Sequence, residues 1–116
     1  MGYIELIEVT EKIIEYNDET IAKEREREKL EFDFYHDIKP FVSKVDEGLE
    51  EWKQLALDWL NREKPKYIHV QQIEHVCTNL QSNSLQCFAQ KINKKRFYET
   101  HQAIHYTLQN ILEQCR

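Results

Sequence analysis

"IKPFVSKVDEGLEEWKQLALDW", residues 38–59, places Ile38, Val42, Val45, Leu49, Trp52, Ala56 and Trp59 at alternating steps of three and four. That spacing keeps one face of a helix, at about 3.6 residues per turn, toward a core. It is the longest regular apolar series in the chain, and it predicts a long second helix. Pro40 lacks an N–H and crowds the preceding turn, so the helix is expected to begin at about Pro40. Pro65 pushes Lys64 toward extended geometry, which predicts an end at about Asn61 or Arg62.

Three further series flank it. Leu6, Val9, Ile13 and Tyr16 lie in helical register, widened by Ile14 and Ile21. Ile73, Cys77, Leu80, Ser84 and Cys87 form a third stripe beside Val76 and Phe88, and Phe97, His101, Ile104, Leu108, Ile111 and Cys115 a fourth. Four amphipathic segments close most simply as an all-α, four-helix up-and-down antiparallel bundle, one domain over residues 1–116. The connections at Pro65 and at Asn93, a residue suited to capping a helix, are short enough to set neighbours antiparallel. "FDFYHDI", residues 32–38, reads as a short helical turn or an extended approach to the second helix. Trp52, Leu49, Trp59, Ile73, Leu80, Ile104 and Leu108 are the expected core.

Composition agrees. Only two glycines and two prolines occur in 116 residues, which leaves little material for hairpins or phosphate-cradling loops. The three cysteines are an odd count without a Cys-x-x-Cys pair. Cys77 and Cys87 on one helix stand about 15 Å apart along its axis, too far for a disulfide. Reduced thiols in a cytoplasmic protein are the expectation. "MGYIELIEVTEK" has no basic export region, Leu6 stands where a myristoylation signal wants Ser or Thr, and no apolar run approaches the roughly 18 residues of a membrane span.

The net charge of −5 is unevenly spread: residues 1–60 carry 17 acids against 8 Lys or Arg, and residues 61–116 carry 4 against 8. Pairing between neighbouring helices of the two halves is the simplest reading. Lys94, Lys95 and Arg96 sit where a helix N-terminus disfavours positive charge, so something must offset them. Acids of the same chain, in the "ERERE" run or at Glu47, Glu50 and Glu51, are the first expectation; a partner surface made with Tyr67 is the second. The cluster has no interleaved aromatics, which argues against nucleic acid. The charged run Lys23–Glu31 reads as a solvated helix end.

Among chemistry-bearing residues, His101 and His105 share a helix face and suit a metal or small ligand, with Asp33 and His36 as possible additions. No His-Glu-x-x-His or Glu-x-x-His completes a known ligand set, and no metal or other cofactor is expected. His75 and Cys77 diverge by about 200° on a helix, which denies them a direct bond. No nucleophile elbow or Walker loop occurs. The expectation is a protein with no catalytic residues, not an enzyme.

"RxKPKYIHxxQIE" (Arg62–Glu74), "INKKRFYETHxAIxYTL" (Ile92–Leu108) and "FDFYHDIKPFV" (Phe32–Val42) together resemble the YppE-like family of small bacterial proteins of unknown function. The resemblance covers essentially the whole chain. It implies a cytoplasmic helical bundle and carries no reaction or site residues. The expected function is therefore a non-enzymatic interaction or scaffold protein with a protein partner, monomeric or weakly dimeric, off the membrane. The alternative is a metal- or small-ligand-binding bundle using His101 and His105.

Overall fold

The computed structural model describes residues 3–27 and 29–116; Gly2 of the myristoylation pattern and Glu28 of the charged run fall outside it. Among the described residues every regular element is helical: α1 (Ile4–Glu26), α2 (Lys39–Glu63), α3 (Val70–Gln86) and α4 (Lys94–Cys115), with a five-residue π-turn at Phe34–Ile38. Each helix packs on its two neighbours in the cycle α1–α2–α3–α4, and α1 also meets α3 across the diagonal. The result is the antiparallel four-helix bundle that the four stripes predict, extending 46 × 27 × 19 Å.

The expected core residues are all buried, with Trp52, Ile73, Leu80 and Leu108 at zero exposure. Trp52 also satisfies its indole: Nε1 donates to Thr10 Oγ1 at 3.0 Å inside the core. The first turn of α2 differs by one position. Phe41 is buried there and Val42 only partly, because Phe41 turns toward Phe88 at the end of the bundle.

The α2–α3 corner corrects one expectation. Lys64 is not extended but left-handed (φ 47°, ψ 55°), and its N–H still reaches the Leu60 carbonyl at 3.0 Å. The proline clash removes right-handed continuation, while a left-handed residue both turns the chain and keeps that carbonyl bonded. Arg62 Nε donates to Asp58, one turn back. Of the three apolar residues at this corner, Tyr67, Ile68 and Val70, only Ile68 is buried, while Val70 is exposed and Tyr67 is 82% exposed. Tyr67 is left-handed too (φ 69°). At α4 the expectation holds: Asn93 Oδ1 accepts the Arg96 N–H at 3.1 Å, an N-cap of the ordinary kind.

Candidate functional site

The α4 N-terminus, the α1 C-terminus, the π-turn and the α3–α4 turn meet at one end of the bundle. Lys94, Lys95 and Arg96 stand there, whereas Tyr67 lies on the α2–α3 corner beside the α4 C-terminus, where Gln114 donates to the Lys66 carbonyl. The structure therefore does not bring Tyr67 together with the three cations. Lys95 approaches Glu99 one turn on, at 4.0 Å between exposed groups. Lys94 helps to hold the Glu24 carboxylate charged.

Glu24 is the residue of this end that the sequence reading misplaced. It belongs to the charged run, yet it is only 3% exposed. The register explains it: Ile13, Asn17, Thr20 and Glu24 continue the inner face of α1 at steps of four, three and four, and all four are buried. Tyr98 donates its hydroxyl to Glu24 Oε1 at 2.5 Å, and Arg27 Nε donates to Oε2 at 3.3 Å. The same guanidinium reaches the carbonyls of Ala89 and, at 2.7 Å, Gln90. Burial alone would push the Glu24 carboxyl up; the bonds from Tyr98 and Arg27 and the charges of Arg27 and Lys94 outweigh it and hold the group below its usual range. The arrangement ties α1, α4 and the α3–α4 turn into one unit.

Beside it, the π-turn buries none of its residues. Asp33 caps it, accepting the His36 backbone N–H at 2.8 Å and meeting His36 Nδ1 at 2.7 Å, which holds the Asp33 carboxyl below its ordinary value. Phe34 and Tyr35 are 55% and 72% exposed and stand edge to face at 5.2 Å. Leu30 and Leu85 are exposed at the same end. Sequence reading missed this display; the signal available was three aromatics within four residues, in a stretch too short to bury them all.

His101 and His105 stack nearly parallel, 15° apart with ring centres at 6.4 Å. His101 is committed to α1 twice: Nε2 meets Asp18 Oδ1 at 2.8 Å, and its backbone carbonyl accepts from Asn17 Nδ2 at 3.0 Å. Asp33 and His36 pair with each other on the α2 side of α1, where His36 lines a shallow depression with Glu19 and Lys44. Among the described residues no three His, Cys, Asp or Glu side chains gather as a metal site.

All three cysteines are free. Burial pushes the Cys87 thiol up to about 12, with Sγ donating to the Ser84 carbonyl at 3.3 Å, and pushes Cys115 up to about 11; Cys77 is raised as well, chiefly by burial. Thiols in that state are packing groups, poor as nucleophiles. No helix among the described residues is long and apolar enough to cross a membrane.

Residues 5–115 match the model of a bacterial domain of unknown function, DUF1798. The uncharacterized protein YppE of Bacillus subtilis (strain 168) is 33% identical over 111 residues, covering 94% of this chain and 90% of that protein. The crystal structure of yppE from Bacillus subtilis superposes with a TM-score of 0.89, covering 97% of this chain and 94% of that one. A crystal structure of a protein of unknown function from Listeria innocua is 30% identical and superposes with a TM-score of 0.92 over 97% of this chain and 92% of that one. The chain belongs to the DUF1798 family, whose YppE-like members its Arg62–Glu74 and Ile92–Leu108 stretches resemble.

Proposed function

We propose that this chain is a cytoplasmic, non-enzymatic interaction protein, monomeric or weakly dimeric, that docks a protein partner on the bundle end carrying Phe34, Tyr35 and the Lys94–Arg96 cluster. The observation that supports the reading best is the π-turn itself: none of its residues is fully buried, and it presents two aromatic rings to solvent. Exposed aromatics grouped with cations are the material of interface anchors. The complementary partner surface is apolar with an acidic rim. Three unpaired cysteines suit a reducing compartment, and the raised thiols leave those side chains to packing rather than catalysis.

The test is affinity capture from the native cell with the parent and a Phe34→Ser, Tyr35→Ser variant, each read by mass spectrometry. Both side chains are exposed, so the variant is expected to melt like the parent. A protein retained by the parent and lost by the variant supports this docking end. Equal retention by both would move the interface elsewhere, and no enrichment over a tag-only control would count against an interaction protein.

A further inference from the structure

The end of the bundle beneath the α1–α2 connection already holds a cation. Lys23, near the C-terminus of α1, places Nζ 5.1 Å from the ring centre of Phe41, 5.7 Å from Phe88 and 5.8 Å from Phe32. The rings come from the first turn of α2, the turn after α3 and the connection. They also brace one another edge to face, Phe32 on Phe88 at 5.0 Å and 76°, Phe41 on Phe88 at 5.9 Å and 79°. One ammonium over one ring is a common surface contact. Several rings converging on one ammonium is the arrangement by which aromatic cages recognise organic cations.

An open cleft of about 450 Å³ adjoins this cluster, sharing Phe32 and Phe88 as walls and bordered by Arg27, Leu30, Glu31, Ala89 and Gln90. That volume lies within the range of small-molecule sites. Phe32 is only partly buried, and Glu31 and Asp33 on either side of it are exposed, so this wall has few contacts to break if it opens.

We propose that Phe32, Phe41 and Phe88 form a binding site for a small organic cation bearing a methylated ammonium, with the chain's own Lys23 as the resident occupant that the ligand displaces. A primary ammonium is a compact, strongly hydrated charge. A trimethylammonium spreads its charge over methyl groups, sheds water more easily and touches all three rings at once, so it suits the cage better than lysine does. Lys23 has a flexible stem and lies in the last turn of α1, where the helix end favours a cation even after it leaves the rings. Its tether works against the ligand, since a linked group competes at an effective concentration on the order of millimolar. The site therefore binds weakly while Lys23 is present. This site is separate from His101 and His105 and does not depend on the docking of a protein at Phe34 and Tyr35.

The test is a titration of the whole chain with choline chloride at constant ionic strength, followed in proton–carbon spectra of the phenylalanine rings. The control is the neutral isostere of choline, with carbon in place of nitrogen. Expected are saturable shifts at Phe32, Phe41 and Phe88 with choline and none with the isostere. Lys23→Ala should bind choline roughly tenfold tighter than the parent, because the tethered competitor is gone. Lys23→Met, which refills the cage with a neutral stem, should bind less well than Lys23→Ala. The proposal is overturned by an absence of saturable shifts in both parent and Lys23→Ala, by an equal response to the isostere, or by Lys23→Ala binding no tighter than the parent. If Lys23→Ala fails to fold, choline against its isostere on the parent decides alone.

Discussion

Tyr98 on α4 donates its hydroxyl to the buried carboxylate of Glu24 on α1 at 2.5 Å. A carboxylate this far from water is costly unless it is bonded on several sides. Tyr98, Arg27 and the nearby Lys94 meet that requirement. The charge that looks like part of a solvated helix end is thus a structural element of the α1–α4 contact.

Glu24→Gln should lower stability at pH 7 by about 1–3 kcal/mol, since the amide replaces an acceptor for Tyr98 and Arg27 with a group that is half donor. The pH dependence has a definite sign. The folded-state value of Glu24 lies below its unfolded one, so its contribution is present above the ordinary carboxylate range and is lost as pH falls through the lower folded value. Melting temperatures taken from pH 7 downward should fall less steeply for Glu24→Gln than for the parent. Parallel curves would show that Glu24 is not the group being titrated.

In the core, the Trp52 indole N–H has one acceptor, Thr10 Oγ1, and both residues are fully buried. Thr10→Val keeps the branched shape and strands the donor, so a loss of about 1–3 kcal/mol is expected in urea unfolding. Trp52→Ala also opens a cavity and should cost about 3–5 kcal/mol.

Gly48 sits inside α2, where alanine would ordinarily be preferred by about 1 kcal/mol. A Cβ there would stand 2.9 Å from Tyr16 Cε2 and 3.2 Å from Ile13 Cδ1. Both neighbours are buried, Ile13 completely, so neither can retreat freely. Overpacking costs of about 1–3 kcal/mol then exceed the propensity gain, and Gly48→Ala should melt lower than the parent. A higher melting temperature would mean that the Tyr16 ring yields.

The helices were legible because apolar residues recur at steps that only a helix can align, and that signal survives local irregularity. What escaped was decided by neighbours far away in sequence. Periodicity could not tell which of Tyr67, Ile68 and Val70 faces inward, because the corner leaves helical register and Lys64 and Tyr67 turn left-handed. Glu24 is hidden for a different reason: its residue type points to solvent, whereas the register Ile13, Asn17, Thr20, Glu24 places it on the inner face of α1. A partner face made of Lys94 and Tyr67 would join residues that lie by opposite ends of α4, a distance of about 30 Å at 1.5 Å per residue.

At His101 and His105, added zinc or nickel is expected to leave the melting temperature unchanged. His101 Nε2 is engaged by Asp18, and no third ligand of the described chain joins the pair. One equivalent of metal retained through dialysis, and released by His101→Ala, His105→Ala, would revive the ligand-binding alternative.

The basic cluster divides under charge reversal. At a helix N-terminus a carboxylate is favoured over a cation by about 0.3–1 kcal/mol. Lys95→Glu gains that and loses the exposed contact with Glu99, while creating a repulsive pair one turn apart worth about 0.2–0.5 kcal/mol. Its net effect should be near zero. Lys94→Glu is different, because Lys94 helps to keep the buried Glu24 carboxylate charged. A carboxylate in its place raises the cost of that ionised group in a site only partly screened by salt. Lys94→Glu should therefore lower the melting temperature at pH 7, lose part of that deficit on acidification toward the Glu24 titration, and recover only partly in high salt. If Lys94→Glu proved as neutral as Lys95→Glu, the internal role of Lys94 would fail, and the cluster would be left for a partner to neutralise.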